Sequence, residues 1–92
     1  MPINSLKIVI KGQYFDEIAS GEKTIEYREV TPFWTSRLFD ENGKRRSYDR
    51  IEFINGYNTD ARRMITGFDG FTTRNNRYNI RIGKIYRKPH RK

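Results

Sequence analysis

The chain of 92 residues has no cysteine and a single histidine, His90, and its length leaves room for one hydrophobic core. These counts exclude disulfides and thiolate metal sites and disfavour catalysis by a positioned imidazole, so we expect one domain over residues 1–92 with no metal and no cofactor. The net charge of +8 lies entirely in residues 70–92, which hold eight Lys or Arg residues and no acidic residue, and this one-signed segment predicts a polyanionic partner such as nucleic acid.

The apolar residues of the chain are too scattered for a membrane span. The longest apolar run, Ile8–Ile10, is far shorter than the roughly 20 residues that cross a bilayer. The chain also shows no cationic start followed by a long apolar stretch, the pattern of a secretory signal. We therefore expect a soluble, cytoplasmic protein with no membrane partner, and the sequence leaves its oligomeric state open.

The first thirty residues predict a strand, a helix and a second strand. In Leu6–Lys11 apolar and polar residues alternate with the period of two that is typical of a half-buried strand. Apolar residues between Tyr14 and Ala19 recur at helical spacing, and Gly21 is placed to end that helix. The segment Lys23–Val30 then has the composition of a strand.

The middle of the chain predicts a short helix and a series of strands. Thr31 and Pro32 favour the start of the helix, in which Trp34 is expected to cover the core. Further strands are predicted over Arg50–Ile54, Met64–Phe68 and Tyr78–Tyr86. Polar loops or turns are predicted over Asp40–Tyr48, Asn55–Arg63 and Thr72–Arg77.

In the last predicted strand, the alternation of inward-facing apolar residues shifts by one position, because Ile80 and Ile82 are two residues apart whereas Ile85 follows Ile82 by three. We therefore expect a bulge near Gly83 and Lys84, and we expect the basic residues 87–92 to fray. About five strands with two short helices predict an α+β domain, folded as a small mixed β-barrel.

The densest polar run of the sequence is Gly21–Glu29. In a strand, Thr24, Glu26 and Arg28 share one face, and Lys23 lies near them where the strand begins. Spacing alone leaves two interpretations open. One is a solvated strand face with a surface ion pair worth about 0–1 kcal/mol, and the other is a ligand site.

The positions Gly21, Lys23, Glu26 and Arg28 follow the pattern Gly-x-Lys-x-x-Glu-x-Arg after a strand and a helix. This pattern resembles the signature of the ASCH superfamily, whose fold is similar to the PUA domain, and the resemblance covers residues 6–30. It implies a pseudo-barrel with a cleft along the motif strand, and it implies RNA or a modified nucleoside as the bound partner.

The resemblance also implies an alternative function as an enzyme. One bacterial branch of similar small proteins hydrolyses N4-acetylated cytidine with a lysine, a threonine three positions later and a distant carboxylate. Lys23 matches the lysine, but Glu26 occupies the position of the threonine. No motif identifies the distant carboxylate, although Glu52 and Asp69 are available.

The chemistry of the motif favours binding over catalysis. A nucleophilic Lys23 would have to be neutral, whereas the nearby carboxylate of Glu26 favours the ammonium. Glu26 is suited to accept a hydrogen bond from an exocyclic amine of a nucleobase, and Lys23 and Arg28 are suited to contact phosphate or a carbonyl. An amidohydrolase or ribonuclease that uses Lys23 and Glu26 stays an alternative.

Arginines interleaved with tyrosines extend the candidate surface beyond the motif. Such mixtures suit single-stranded RNA, because bases stack on aromatic rings at about 1–3 kcal/mol each while cations follow the backbone. The predicted ligand or RNA contacts are Lys23, Thr24, Glu26, Arg28, Tyr57, Arg62, Arg63, Arg74, Arg77 and Arg81. An adaptor whose basic end binds an acidic protein is the remaining alternative.

Overall fold

The computed structural model describes residues 3–91 and contains five strands and two helices, in which helices separate only the first three strands. In chain order they are β1 (Ser5–Ile10), α1 (Gly12–Ser20), β2 (Ile25–Glu29), α2 (Pro32–Leu38), β3 (Arg50–Asn55), β4 (Arg62–Arg74) and β5 (Arg77–Arg91). The strands form one mixed sheet in the order β1-β3-β4-β5-β2, in which β1 runs parallel to β3 and the other neighbours are antiparallel. The sheet curls into a half-barrel, which confirms the predicted α+β pseudo-barrel.

The two edge strands of the sheet, β1 and β2, approach each other because the sheet curls. The guanidinium of Arg28 on β2 donates from Nη2 to the main-chain carbonyl of Val9 on β1, at 3.1 Å. A side chain therefore connects the edges at this point. A cleft lies beside this contact, in the gap between the two edges.

The core lies inside the curl and is closed by the two helices. Strand alternation turns Leu6, Ile8 and Ile10 of β1 inward, and α1 packs Phe15 and Ile18 against them. Each large apolar side chain buried in this way contributes about 1.5–3 kcal/mol. The core residues are Leu6, Ile8, Ile10, Phe15, Ile18, Leu38, Ile51, Phe53, Met64, Phe71, Tyr78 and Ile80.

Both helices have the boundary residues that the sequence predicts. Gly21 ends α1 in the left-handed conformation, with φ of 88°, and its N–H donates to the carbonyl of Ile18. The hydroxyl of Thr31 accepts from the N–H of Trp34 at 3.3 Å, and Pro32 opens α2. Among residues 3–91, no helix combines the length and the apolar character that crossing a membrane requires.

The hairpin of β4 and β5 is longer than predicted at both ends. Asn75 and Asn76 have positive φ angles of 53° and 59°, as a two-residue hairpin turn requires, so the polar turn expected over Thr72–Arg77 is narrower than that range.

The expected bulge near Gly83 and Lys84 is confirmed: the strand pairing moves from Thr66↔Ile85 to Phe68↔Ile82.

The expected fraying of residues 87–92 is wrong for the described part of that segment. Arg87 pairs with Ile65, His90 with Arg63, and Arg91 with Arg62. The start of β4 offers a main-chain edge, and hydrogen bonds to it hold a segment that has no apolar pattern of its own. Lys92 lies outside the described residues.

Candidate functional site

A cleft of about 870 Å³ lies between the edges of β1 and β2. Its volume falls in the range of about 300–1,000 Å³ that small-molecule sites occupy. The end of β1 and the start of α1 form one wall, and β2 with the start of α2 forms the other. The loop that follows β3 reaches its rim.

Three charged side chains, which we call the charge triad, meet in this cleft: Lys23, Glu26 and Arg28. The Nζ of Lys23 lies 3.2 Å from Oε1 of Glu26. The Nε and Nη2 of Arg28 each lie 2.6 Å from Oε2 of the same carboxylate. Glu26 is 5% exposed, whereas the side chains of Lys23 and Arg28 are 16% and 23% exposed, so the anion lies beneath two cations that still reach solvent.

Aromatic rings surround the two cations of the charge triad. The Nζ of Lys23 lies 5.4 Å from the ring centroids of both Tyr14 and Tyr27. The guanidinium carbon of Arg28 lies 5.0 Å from the ring of Trp34. These are cation–π distances, and they hold both cations in defined positions. The rings of Tyr14 and Tyr27 are about half exposed and border the open cleft.

The local sequence explains this convergence. Gly21 ends α1 and turns the chain, and the N–H of Lys23 then donates to the carbonyl of Glu17 at 3.1 Å, which fixes the turn. Alternation along β2 directs Glu26 and Arg28 toward the inside of the curl and Tyr27 toward its outer rim.

Two further predicted residues lie on the cleft, and one member of the motif strand does not. Tyr57 is on the loop after β3, is 91% exposed, and stands at the rim. The guanidinium of Arg77 lies 5.9 Å from the ring of Tyr27 and also lines the cleft. Thr24 is exposed outside the cleft, and its carbonyl accepts from the N–H of Ile82, so it serves the sheet.

The other predicted arginines lie away from the cleft on the β4–β5 hairpin. Arg62 pairs with Asp16 of α1 at 2.9 Å, and Arg63 pairs with Glu52 at 3.4 Å. Arg81 donates to the carbonyl of Asp69 at 3.1 Å. Arg74 lies opposite Arg77 at the hairpin turn.

The two carboxylates that the sequence offered as distant catalytic groups, Glu52 and Asp69, also lie elsewhere. Glu52 is bound to Arg63, and Asp69 adjoins the bulge beside Gly83. Neither carboxylate is among the cleft residues.

Sequence reasoning missed Val9, Tyr14 and Tyr27 as parts of the cleft. It assigned Trp34 to the core, and Trp34 does pack against the core while also lining the cleft beside Arg28. The position of Tyr27 between Glu26 and Arg28 in the motif could have indicated that Tyr27 lies near the cleft. No local pattern marks Val9, because its contact with Arg28 depends on the curl of the whole sheet.

In comparisons with known proteins, no family model, curated protein or solved structure matches the chain. Within residues 3–91, no group of three or more His, Asp and Glu side chains is placed to hold a metal ion. The charge triad and the aromatic rings beside it are the groups described above that a ligand in the cleft would meet. Two cations and one anion leave the triad with a net positive charge, which suits an anionic or polar planar ligand.

Proposed function

We propose that this protein is an ASCH-like domain that binds RNA or a nucleotide-sized ligand in the cleft between β1 and β2. The observation that carries the proposal is the convergence of Lys23, Glu26 and Arg28 in one partly sheltered cleft. A solvated strand face would leave the carboxylate and its ion pair exposed to bulk water. Instead, one buried carboxylate fixes two cations in place beside aromatic rings.

The aromatic walls support a flat ligand. Tyr14, Tyr27 and Trp34 border the cleft and already stack against the cations of the charge triad. A nucleobase that enters beside them gains stacking of about 1–3 kcal/mol, which does not depend on base identity.

The charge distribution supports a polyanionic ligand. Arg77, the first residue of β5, lines the cleft, and residues 70–92, to which it belongs, carry the excess of positive charge in the chain. Phosphates that leave the cleft along the hairpin displace counterions, and this supplies affinity without sequence preference.

A titration that follows the fluorescence of Trp34, the only tryptophan, tests the proposal directly because that residue lines the cleft. Mononucleotides and a short single-stranded RNA should both change its emission. For RNA, contact with about five phosphates predicts a slope near −3.5 in log affinity against log salt. Lys23→Ala should weaken binding of both ligands, and Lys7→Ala, which removes an exposed lysine of β1 outside the cleft, is the matched control.

Two outcomes would remove the proposal. One is no binding of RNA or nucleotide at low ionic strength, and the other is a flat response to salt together with an unaltered Lys23→Ala variant. Binding to an acidic protein that survives nuclease treatment, with no RNA binding, would favour the adaptor alternative.

The enzymatic alternative uses the same residues and is tested beside the first. The Nζ of Lys23 lies 3.2 Å from the carboxylate of Glu26, and an amine engaged in an ion pair is suited to binding more than to nucleophilic attack. Incubation with N4-acetylcytidine and, separately, with labelled RNA measures amidohydrolase and ribonuclease activity. Turnover that Lys23→Ala abolishes would establish an enzyme.

A further inference from the structure

The charge triad offers a ligand mostly donors, although the wider lining of the cleft also includes the acceptor oxygens of Glu29, Thr31 and Asn55. An ammonium carries three N–H donors and a guanidinium five, and neither has an acceptor. Lys23 directs its contact to Oε1 of Glu26, and Arg28 directs Nε and Nη2 to Oε2. Among the described residues, these contacts leave donors on Nζ of Lys23 and on Nη1 of Arg28 for a ligand.

Glu26 has little acceptor capacity left. A carboxylate has about four acceptor positions. One contact from Lys23 and two from Arg28 occupy most of them, and the residue is 5% exposed. Glu26 is therefore a positioning residue that orients the two cations. This differs from the sequence-based expectation, in which Glu26 itself accepts from an exocyclic amine.

The main chain of Val9 adds one more donor. Its carbonyl accepts from Arg28, so this carbonyl faces the cleft and not β3. A residue in a strand directs its N–H and C=O to the same side. The N–H of Val9 therefore also faces the cleft, next to the guanidinium of Arg28.

From the donors that Lys23, Arg28 and Val9 present side by side we infer that this part of the cleft selects a nucleobase whose edge presents acceptors, namely an oxo base such as uracil or guanine, over the amino bases cytosine and adenine. The inference rests on the proposed function and specifies its ligand. Uracil offers a carbonyl where cytosine offers an amine, and guanine offers O6 and N7 to an arginine where adenine offers an amine at the same edge. An exocyclic amine is a hydrogen-bond donor, so it would meet the donors of Lys23 and Arg28 without an acceptor to bind.

The experiment compares UMP, GMP, CMP, AMP and inorganic phosphate by Trp34 fluorescence at one ionic strength. UMP and GMP should bind about tenfold more tightly than CMP and AMP, as expected for one well-formed donor pair to a base edge. Arg28→Lys keeps the charge and loses the planar fork, so it should reduce this ratio toward one, and any loss of overall affinity should affect all four nucleotides alike.

A second variant tests the main-chain donor separately. Val9→Pro removes one N–H from an edge strand, a position where proline is tolerated. It should weaken binding of UMP and GMP severalfold. Lys7→Pro removes the equivalent N–H two residues earlier on the same edge, outside the cleft, and should leave binding unchanged. If Val9→Pro does not fold, the Arg28→Lys comparison still decides the inference.

Equal binding of the four nucleotides, tighter binding of CMP and AMP, or phosphate binding as tight as that of nucleotides would each overturn the inference. In the first two cases the proposed nucleotide-binding function would stand. Absence of binding by all four nucleotides and RNA would overturn that function and the inference together.

Discussion

The cations of the cleft and the cations of the β4–β5 hairpin are organised differently. In the cleft, Lys23 and Arg28 share one buried carboxylate, and each lies against aromatic rings. On the hairpin, Arg62 pairs with one exposed carboxylate, Asp16, and arginines also lie opposite each other across the ladder, Arg74 opposite Arg77 and Arg62 opposite Arg91. Like charges placed directly across a ladder are unfavourable, so the hairpin carries a cost in stability to keep its positive charge.

Under the proposed function, this contrast predicts which region would supply selectivity between ligands and which would supply long-range attraction. Cations that a carboxylate and rings hold in fixed positions present donors in a defined geometry, which is what discrimination between ligands requires. Cations spread along a solvated hairpin attract a polyanion over a distance and favour no particular sequence. We therefore expect variants of the two regions to separate nucleotide binding from the salt dependence of RNA binding.

The largest expected effect comes from Glu26→Gln, which removes the anion that orients both cations of the charge triad. We expect about a 100-fold loss of mononucleotide affinity, because hydrogen bonds to charged groups contribute about 1.5–3 kcal/mol and both cations lose their fixed positions. The free energy of unfolding should fall by about 1–3 kcal/mol, since the cations stay partly hydrated. Fluorescence titration and chemical denaturation measure the two quantities.

Glu52→Gln is the matched control, because it removes a carboxylate that is paired with a single arginine, Arg63, outside the cleft. Its nucleotide affinity should equal that of the wild type. If Glu26→Gln and Arg28→Ala both fail to fold, the charge triad is a structural element and the assignment of the cleft is wrong.

The next effect concerns the hairpin. Arg87→Ser combined with Lys88→Ser removes two exposed cations from β5. The slope of log RNA affinity against log salt should change from about −3.5 to about −2.1, because each lost phosphate contact accounts for about 0.7. Mononucleotide affinity should not change. Lys7→Ser with Lys44→Ser lowers the net charge equally, away from the hairpin, and an identical change in slope there would show that only net charge matters.

A smaller effect is expected from the stacking surfaces. Tyr27 and Tyr86 are both about half exposed, and each has a cation over its ring, Lys23 at 5.4 Å and Arg50 at 4.8 Å. Tyr27→Leu should lower nucleotide affinity about fivefold, the lower end of the stacking range for one base. Tyr86→Leu should leave it unaltered. Equal losses for the two variants in the same titration would contradict the division between cleft and hairpin.

The smallest effect lies outside both regions, at Tyr48. Burial raises the pKa of its phenol above 10.0, while Arg46 and Arg37 act in the opposite direction. The folded state therefore holds this proton more tightly than the unfolded chain, so the contribution to stability is present below about pH 10 and falls as the pH rises through the folded pKa. Tyr48→Phe should lose less free energy of unfolding than the wild type between about pH 9 and about pH 11. Parallel pH curves for the two proteins would contradict the raised pKa.

Sequence alone predicts the elements whose signals are local. Alternation in β1, the helical spacing before Gly21 and the cap at Thr31 each depend on a few neighbouring residues, and the structure confirms them. The spacing of Lys23, Glu26 and Arg28 likewise indicates a shared face before any fold is known. The bulge near Gly83 could be predicted because it leaves a visible change of parity.

The remaining features depend on distant partners. Residues 87–91 have no apolar alternation, so nothing in the segment itself predicts that it pairs with the start of β4. The contact of Arg28 with Val9 spans nineteen positions and exists because the sheet curls. The convergence of both cations on the two oxygens of one carboxylate likewise depends on the three-dimensional arrangement, and a hydrogen bond from a ligand to Glu26 stays a prediction.

The contact between Arg28 and Val9 also affects how the molecule meets copies of itself. Open strand edges recruit further strands, and a guanidinium that straddles the opening between β1 and β2 obstructs such addition. Light scattering of Arg28→Ala at rising concentration should detect self-association, and a strictly monomeric variant would argue against this protective role. Because the contact with the Val9 carbonyl uses Nη2, Nη1 of Arg28 is left for a ligand, so under the proposed function one guanidinium would both bridge the two sheet edges and contact the ligand.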